Sequence, residues 1–249
     1  MATPAQIGYN SVAISATADS EATGFDASSV LNSMTYEKWK PQVDIANLTI
    51  ALTESGTTSV NYVAIGAHTM GTNGSGYTIQ YSIDGVNFTT LVAKQSPTND
   101  RARMDTFTAL SISHIRIVLT DAIASIGSVY VGTYLEMSTE FMDDHDLGVY
   151  ARKTEYKNNV SMSGQWLGRS IERQGLDTSF NWRYVTQTFY DASVEPFVQS
   201  AITNPFFIKW RPSDSPTEVL YCWLTQDVKP TISKVNNYTS FTLNVEAIE

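Results

Sequence analysis

A mainly β chain of two units is the fold class predicted by three observations: a sandwich or jelly roll first, then a β-rich unit with one helix. Short apolar runs recur between Gly-, Ser- and Asn-rich turns from residue 12 to residue 137. Several of these runs alternate apolar and polar residues with a period of two, as half-buried strands do. Charged residues make up only 16% of the chain, below the roughly 25% of an average globular protein. Ser, Thr, Asn, Gln and Tyr must therefore cover much of the surface, which suits β-rich or assembly-covered faces.

Taken in order, the first unit offers strands at residues 12–16, 48–52, 60–67, 77–82, 88–91, 104–109, 114–119 and 128–137. The run YTIQYS puts Tyr77, Ile79 and Tyr81 on one face and Thr78, Gln80 and Ser82 on the other. Asp84-Gly85 follows it and supplies the turn chemistry that reverses the chain. In HIRIVL, Ile115, Ile117 and Leu119 share a face opposite Arg116 and Val118. About eight strands joined by Gly- and Ser-rich turns describe a sandwich or jelly roll.

Strand periodicity breaks over residues 138–149, where Glu140, Asp143, Asp144 and Asp146 surround Met142 and His145. This stretch reads as an exposed acidic linker, and it divides the chain into 1–137, 138–149 and 150–249. Its spacing fits neither a calcium loop nor a zinc motif. In the second unit QWLGRSIER and LDTSFNWRYV flank Gly175 and are expected to pair as a hairpin turning there. Asp191 is the expected N-cap of a helix over VEPFVQSAI, with Pro196 in its first turns and Val194, Phe197, Val198 and Ala201 on one face. Strands resume with FFIKW, EVLYCWLT, TISKV and TSFTLNVEAI; in the last, Phe241, Leu243 and Val245 alternate with Thr242, Asn244 and Glu246.

The formal net charge is −9. Residues 1–137 hold 6 basic and 11 acidic side chains, and the remainder hold 10 and 14, so neither half is basic. A nucleic-acid partner is not expected, because nothing would neutralise a phosphate backbone. The start, MATPAQIGYN, lacks the basic and apolar regions of a signal peptide, and no apolar stretch approaches the roughly 20 residues of a membrane span. Cys222, the single cysteine, lies in VLYCWL and reads as a small buried hydrophobe. HExxH, GxSxG, P-loop and GxGxxG motifs are missing, and His68, His114 and His145 are far apart in sequence, so no catalytic residues are assigned and no enzyme is expected. Core packing is the expectation for most of Trp166, Trp182, Trp210 and Trp223. Arg169, Arg173 and Arg183 lie near these rings in sequence, and with Trp166 they form a candidate assembly interface.

Residues 10–137 resemble the discoidin, or coagulation factor 5/8 type C, family of galactose-binding-like jelly rolls. The resemblance rests on SATADSEATGFDASSVLNSMTYEKWKP, VNYVAIGAH, YTIQYSIDGVNFTTL, HIRIVLT and VYVGTYLEM, with QYSxDGxxF its most specific piece. It implies that Trp39 and Phe88 plug the core and that Gly85 permits the turn. Family members bind ligands through loops at one sandwich end, which makes His68, Thr69, Asn73 and Ser75 a candidate glycan-binding rim. They often hold a structural calcium in the first long loop, which makes Asp19, Glu21, Asp26 and Asn32 candidate ligands; no other cofactor is expected. The bridging cysteines of many members are missing, consistent with intracellular folding.

The whole chain also resembles tail proteins of long-tailed bacteriophages that begin with a discoidin-like domain. That similarity rests on RKTEYKNNVSMSGQWLGRSIERQGLDTSFNWRYV, on FYDASVEPFVQSAITNPFFIKWRP, and on the block from EVLYCWLTQDVKP to SFTLNVEAI. It implies a structural tail or baseplate subunit, homo-oligomeric, bound to other tail proteins and located in the virion after assembly in the host cytoplasm. A carbohydrate-binding protein recognising host surface glycans is the alternative.

Overall fold

The computed structural model describes residues 3–140, 150–232 and 237–248. Its first ten strands are β1 (Gln6–Gly8), β2 (Ser15–Ala18), β3 (Ala46–Ala51), β4 (Thr58–Gly66), β5 (Gly76–Ser82), β6 (Thr89–Gln95), β7 (Arg103–Ile112), β8 (His114–Thr120), β9 (Ser128–Gly132) and β10 (Leu135–Glu136). Two antiparallel sheets, β2-β3-β8-β5-β6 and β7-β4-β9, form a sandwich. Their inner faces supply Leu48, Ile50, Ile79, Ile115, Ile117 and Leu119 from one side and Val60, Val63, Ile65, Val129 and Val131 from the other. Each such side chain contributes roughly 1.5–3 kcal/mol when fully buried. The alternation read in YTIQYS and HIRIVL therefore reports a buried inner face. Trp39 is fully buried as expected, its indole N–H donating to the Ser20 carbonyl at 3.1 Å. Phe88 is not a core plug: it is only half-buried, with the Arg116 guanidinium 3.4 Å above its ring. Gly85 does occupy the turn, at φ 76°.

The expected strand over 128–137 divides into β9 and β10, because the chain passes there from the sandwich to a second sheet. Gly132 makes this crossing close: a Cβ on it would lie 2.2 Å from the Asn10 carbonyl oxygen. The second sheet adds β11 (Arg152–Val160), β12 (Trp166–Thr186), β13 (Phe206–Lys209), β14 (Val219–Leu224), β15 (Thr231–Ile232) and β16 (Tyr238–Ala247). Its order is β10-β1-β13-β14-β16-β12-β11, with β15 also on β16. The hairpin expected to turn at Gly175 is corrected. Gly175 lies inside β12, opposite Lys153, and the chain reverses instead at residues 161–165, where Gly164 takes φ 81°. Glycine tolerates a turn but does not compel one, and pairing with β11 and then β16 keeps β12 extended.

The helix starts before its expected cap. Thr186 is the N-cap, its hydroxyl accepting from the Phe189 amide at 3.3 Å, and Asp191 lies inside a wider π-turn over Tyr190–Val194. That turn leads into the regular helix Glu195–Ala201, whose second residue, Pro196, has no amide to give. Val194, Phe197, Val198 and Ala201 are all buried on one face, as their spacing predicts. They pack with Ile7, Phe180, Trp182, Phe206, Leu243 and Val245 in a second core. Cys222 is buried there, and burial pushes its thiol pKa well up.

The sandwich and the second sheet share an interface. Tyr62, Ala64, Met104 and Tyr130, on the outer face of β7-β4-β9, pack against Phe207, Val219 and Tyr221. Coverage on both faces explains why β4 reads as an unbroken buried run after Asn61. Gly66 admits the Phe207 ring, whose Cζ would be 3.1 Å from a Cβ. The Tyr221 hydroxyl donates to the Ser33 carbonyl at 2.9 Å and the Lys209 ammonium to the Met104 carbonyl at 3.3 Å. Strand β1, from the chain's first residues, pairs with β10 and β13, so both β1 and β10 belong to the larger sheet. Of the acidic stretch 138–149, residues 141–149, with Met142, Asp143, Asp144, His145 and Asp146, lie outside the described residues.

Candidate functional site

Strand direction gathers four loops at one end of the sandwich: residues 19–45, 67–75, 96–102 and 121–127. They are tied to each other. Trp39 bridges Ile126 through both backbone groups at 2.9 Å, and the Ser125 amide donates to the Thr69 hydroxyl at 2.9 Å. The Thr72 amide donates to the Asp100 carboxylate at 2.9 Å.

The expected rim residues serve these ties. His68 is 3% exposed, its Nε2 2.7 Å from the Arg101 carbonyl and its Nδ1 accepting from the Met70 amide at 3.3 Å. Burial lowers its pKa from 6.5 to about 4. Asn73 donates to the Ile123 carbonyl at 2.9 Å and to the Thr69 hydroxyl at 3.2 Å. Ser75 is 1% exposed and donates to the Thr120 carbonyl at 3.1 Å. The four share one loop but differ in exposure: His68 and Ser75 are withdrawn from solvent, Thr69 is half-buried and Asn73 is exposed.

Three of the four candidate calcium ligands, Asp19, Glu21 and Asn32, hold the loop or its neighbouring strand. Asp19 accepts from the Asn47 amide and side chain at 2.8 and 2.6 Å. Glu21 accepts from the Ala27 amide at 3.0 Å. Asn32 accepts from the Met34 amide at 2.8 Å and donates to Glu37 at 2.6 Å. Among the described residues no three Asp, Glu, His or Cys side chains are grouped as metal ligands. Asp26, the fourth, makes no side-chain cap bond to the turn that it begins.

These bonds hold loop 19–45 open around a hollow of about 620 Å³. Phe25 and Tyr36 line it, 38% and 75% exposed, beside Asp26, Asn32, Glu37 and Lys38. The loop is anchored from below: Ala27 and Val30 of a short 3₁₀ turn are buried, and Gly24 turns at φ 81°. Flat aromatic faces beside carboxylates, an amide and an ammonium suit a ligand with an apolar face and a ring of hydroxyls. Tyr36 and Phe25 were not singled out from the sequence. A larger groove of about 670 Å³ crosses the second sheet beside Asn181, Arg183, Asp227, Lys229 and Asn244. The ring of Phe241, which lines it, is only 3% exposed, so no flat apolar plate is offered there.

One comparison finds a family: the chain matches the F5/8 type C domain over residues 13–134. Residues 13–134 are an F5/8 type C domain. Solved structures similar to it include the family 32 carbohydrate-binding module of NanJ from Clostridium perfringens in complex with galactose, at 23% identity and TM-score 0.44, covering 52% of this chain and 99% of that one. A second Clostridium perfringens module, in complex with GalNAc-β-1,3-galactose, is 19% identical, with TM-score 0.42, covering 47% and 93%. A chitosan-binding module from a chitosanase/glucanase of a Paenibacillus species is 25% identical, with TM-score 0.43, covering 49% and 98%. No curated protein matches the chain.

The candidate assembly residues lie outside the F5/8 type C domain and do not form one cluster. Trp166 and Arg169 meet, the guanidinium 5.4 Å from the indole and 4.2 Å from the Tyr156 ring. Arg173 instead reaches Glu246 at 2.8 Å, and Arg183 lines the groove of the second sheet. Trp182 and Trp210 are buried in the core, whereas Trp166 is 59% exposed.

Proposed function

We propose that this chain is a non-catalytic glycan-binding protein whose F5/8 type C domain holds a sugar in the hollow of loop 19–45. The observation that carries the reading is the pairing of exposed Phe25 and Tyr36 with Asp26, Asn32, Glu37 and Lys38 around one hollow. A pyranose ring would lie with its C–H face on an aromatic plate while its hydroxyls reach the carboxylates, the amide and the ammonium. The pre-formed loop lowers the ordering cost of binding. Binding of the full chain to a broad glycan panel, beside Phe25→Ala and Tyr36→Ala, tests this. Selective binding that both variants weaken by about tenfold supports it; no binding across the panel overturns it.

A second reading is a structural subunit of a bacteriophage tail or baseplate that displays this domain. It is favoured by the β11–β12 arm, which exposes Tyr156, Val160, Trp166 and Ile171. Detection of the chain in purified virions would support this reading, and its absence from them would count against it.

A further inference from the structure

Strand β12 leaves its neighbour β16 at Leu176, so residues 166–175 pair with β11 alone and the two form an arm two strands wide. An isolated two-stranded ribbon is marginal in water. On one face of this arm, Tyr156 stands opposite Ile171 and Val160 opposite Trp166. These four are 51–59% exposed. The same face continues along β12 into Leu176, Phe180 and Trp182, which the second core covers. Broken by the polar pairs Asn158–Arg169 and Thr154–Gln174, this face thus carries apolar side chains beyond the cover of the core.

Among the described residues β11 is also the last strand of its sheet, so every second residue turns its N–H and C=O outward, unpaired there. The two register shifts of the arm place their extra residues, Leu167 and Glu172, on β12, leaving β11 regular along its whole length. A regular free edge accepts another strand where its side chains permit.

We propose that the occupant is a second copy of this chain, joined by antiparallel pairing of β11 with its own counterpart about a two-fold axis at Tyr156. In that register all nine residues of Arg152–Val160 are paired. Glu155 faces the partner's Lys157, Lys157 faces the partner's Glu155, and the two Tyr156 rings stand side by side. Moving the centre one residue either way opposes Glu155 to itself or Lys157 to itself, a like-charge contact on the axis. The charge pattern RKTEYKNNV therefore favours one two-fold register over its neighbours. The joined arms make a four-stranded ribbon whose apolar faces lie on one side.

Sedimentation velocity of the full chain from roughly 1 to 100 μM, with three variants, tests the pairing. Glu155→Lys is expected to weaken the dimer by about tenfold or more, since two attractive pairs become two repulsive ones. The double variant Glu155→Lys with Lys157→Glu restores opposite charges in trans and is expected to return the affinity to within about threefold of the original. Tyr156→Cys is expected to crosslink into a covalent dimer under diamide, because directly opposed residues bring their Cβ atoms within disulfide reach and Cys222 is buried. A chain that stays monomeric throughout overturns the proposal. So does a dimer that ignores Glu155→Lys, or one that the double variant does not rescue.

Discussion

Replacing His68 by glutamine should flatten the acid side of the stability profile. The imidazole is 3% exposed, and burial lowers its pKa from 6.5 to about 4. In the unfolded chain it takes a proton near 6.5, while in the folded chain it stays neutral until about 4. Between those values the unfolded state binds more protons, so stability falls as pH falls. Above pH 6.5 the contribution is fully present, and below about 4 it is fully lost. The linkage over that window is about 3 kcal/mol. Urea melts at half-unit steps from pH 4 to 7.5, with wild type and His68→Gln side by side, isolate it. Carboxylates titrate in both proteins, so the difference between the two curves is the signal. A wild-type curve that steepens by about 3 kcal/mol relative to the variant is expected; parallel curves would show that His68 is not a buried neutral brace.

Phe197→Ala should cost roughly 3–5 kcal/mol in a denaturant melt, because its fully buried ring meets Tyr9 at 5.3 Å and Phe206 at 4.9 Å. Gly71→Ala should cost roughly 1–3 kcal/mol, since the new Cβ would stand 2.2 Å from the Asn99 backbone and loops 67–75 and 96–102 must separate; an unchanged melt would refute that contact. Limited proteolysis addresses the proposed division into 1–137 and 150–249. The fragments should co-elute after a cut between them, because β1 and β10 remain in the larger sheet and Tyr62 and Tyr130 remain on Phe207 and Tyr221. Elution as two separate monomers would contradict the shared interface.

Local rules made the sandwich legible. Alternation in β5 and β8 follows from one buried face, and Asp84-Gly85 carries its own turn chemistry: the Asp84 carboxylate accepts from the Val86 and Asn87 amides at 2.9 and 2.8 Å. What stayed hidden was set by distant partners. Three residues, QIG, cannot signal a strand by period, yet β1 is fixed by β10 and β13 on either side. Gly175 looks like a turn because a glycine's usual use is local, whereas pairing with Lys153 of β11, and with β16 from Leu176 onward, carries the chain straight through. The burial of His68 and Ser75 stayed hidden for a related reason: a polar loop sequence does not say which of its side chains turn inward, as His68 does toward the Arg101 carbonyl. Phe25 and Tyr36 sit in an aperiodic stretch, and only the folded loop shows that both rings face one hollow.

Titrating the isotope-labelled chain with the best glycan from the panel, and following backbone amide shifts, tests the central claim most directly. Saturable shifts concentrated in residues 24–38, lost in Tyr36→Ala, are the expected result. Shifts centred instead on the groove beside Asn181, Arg183 and Lys229, or none at saturating sugar, would contradict it.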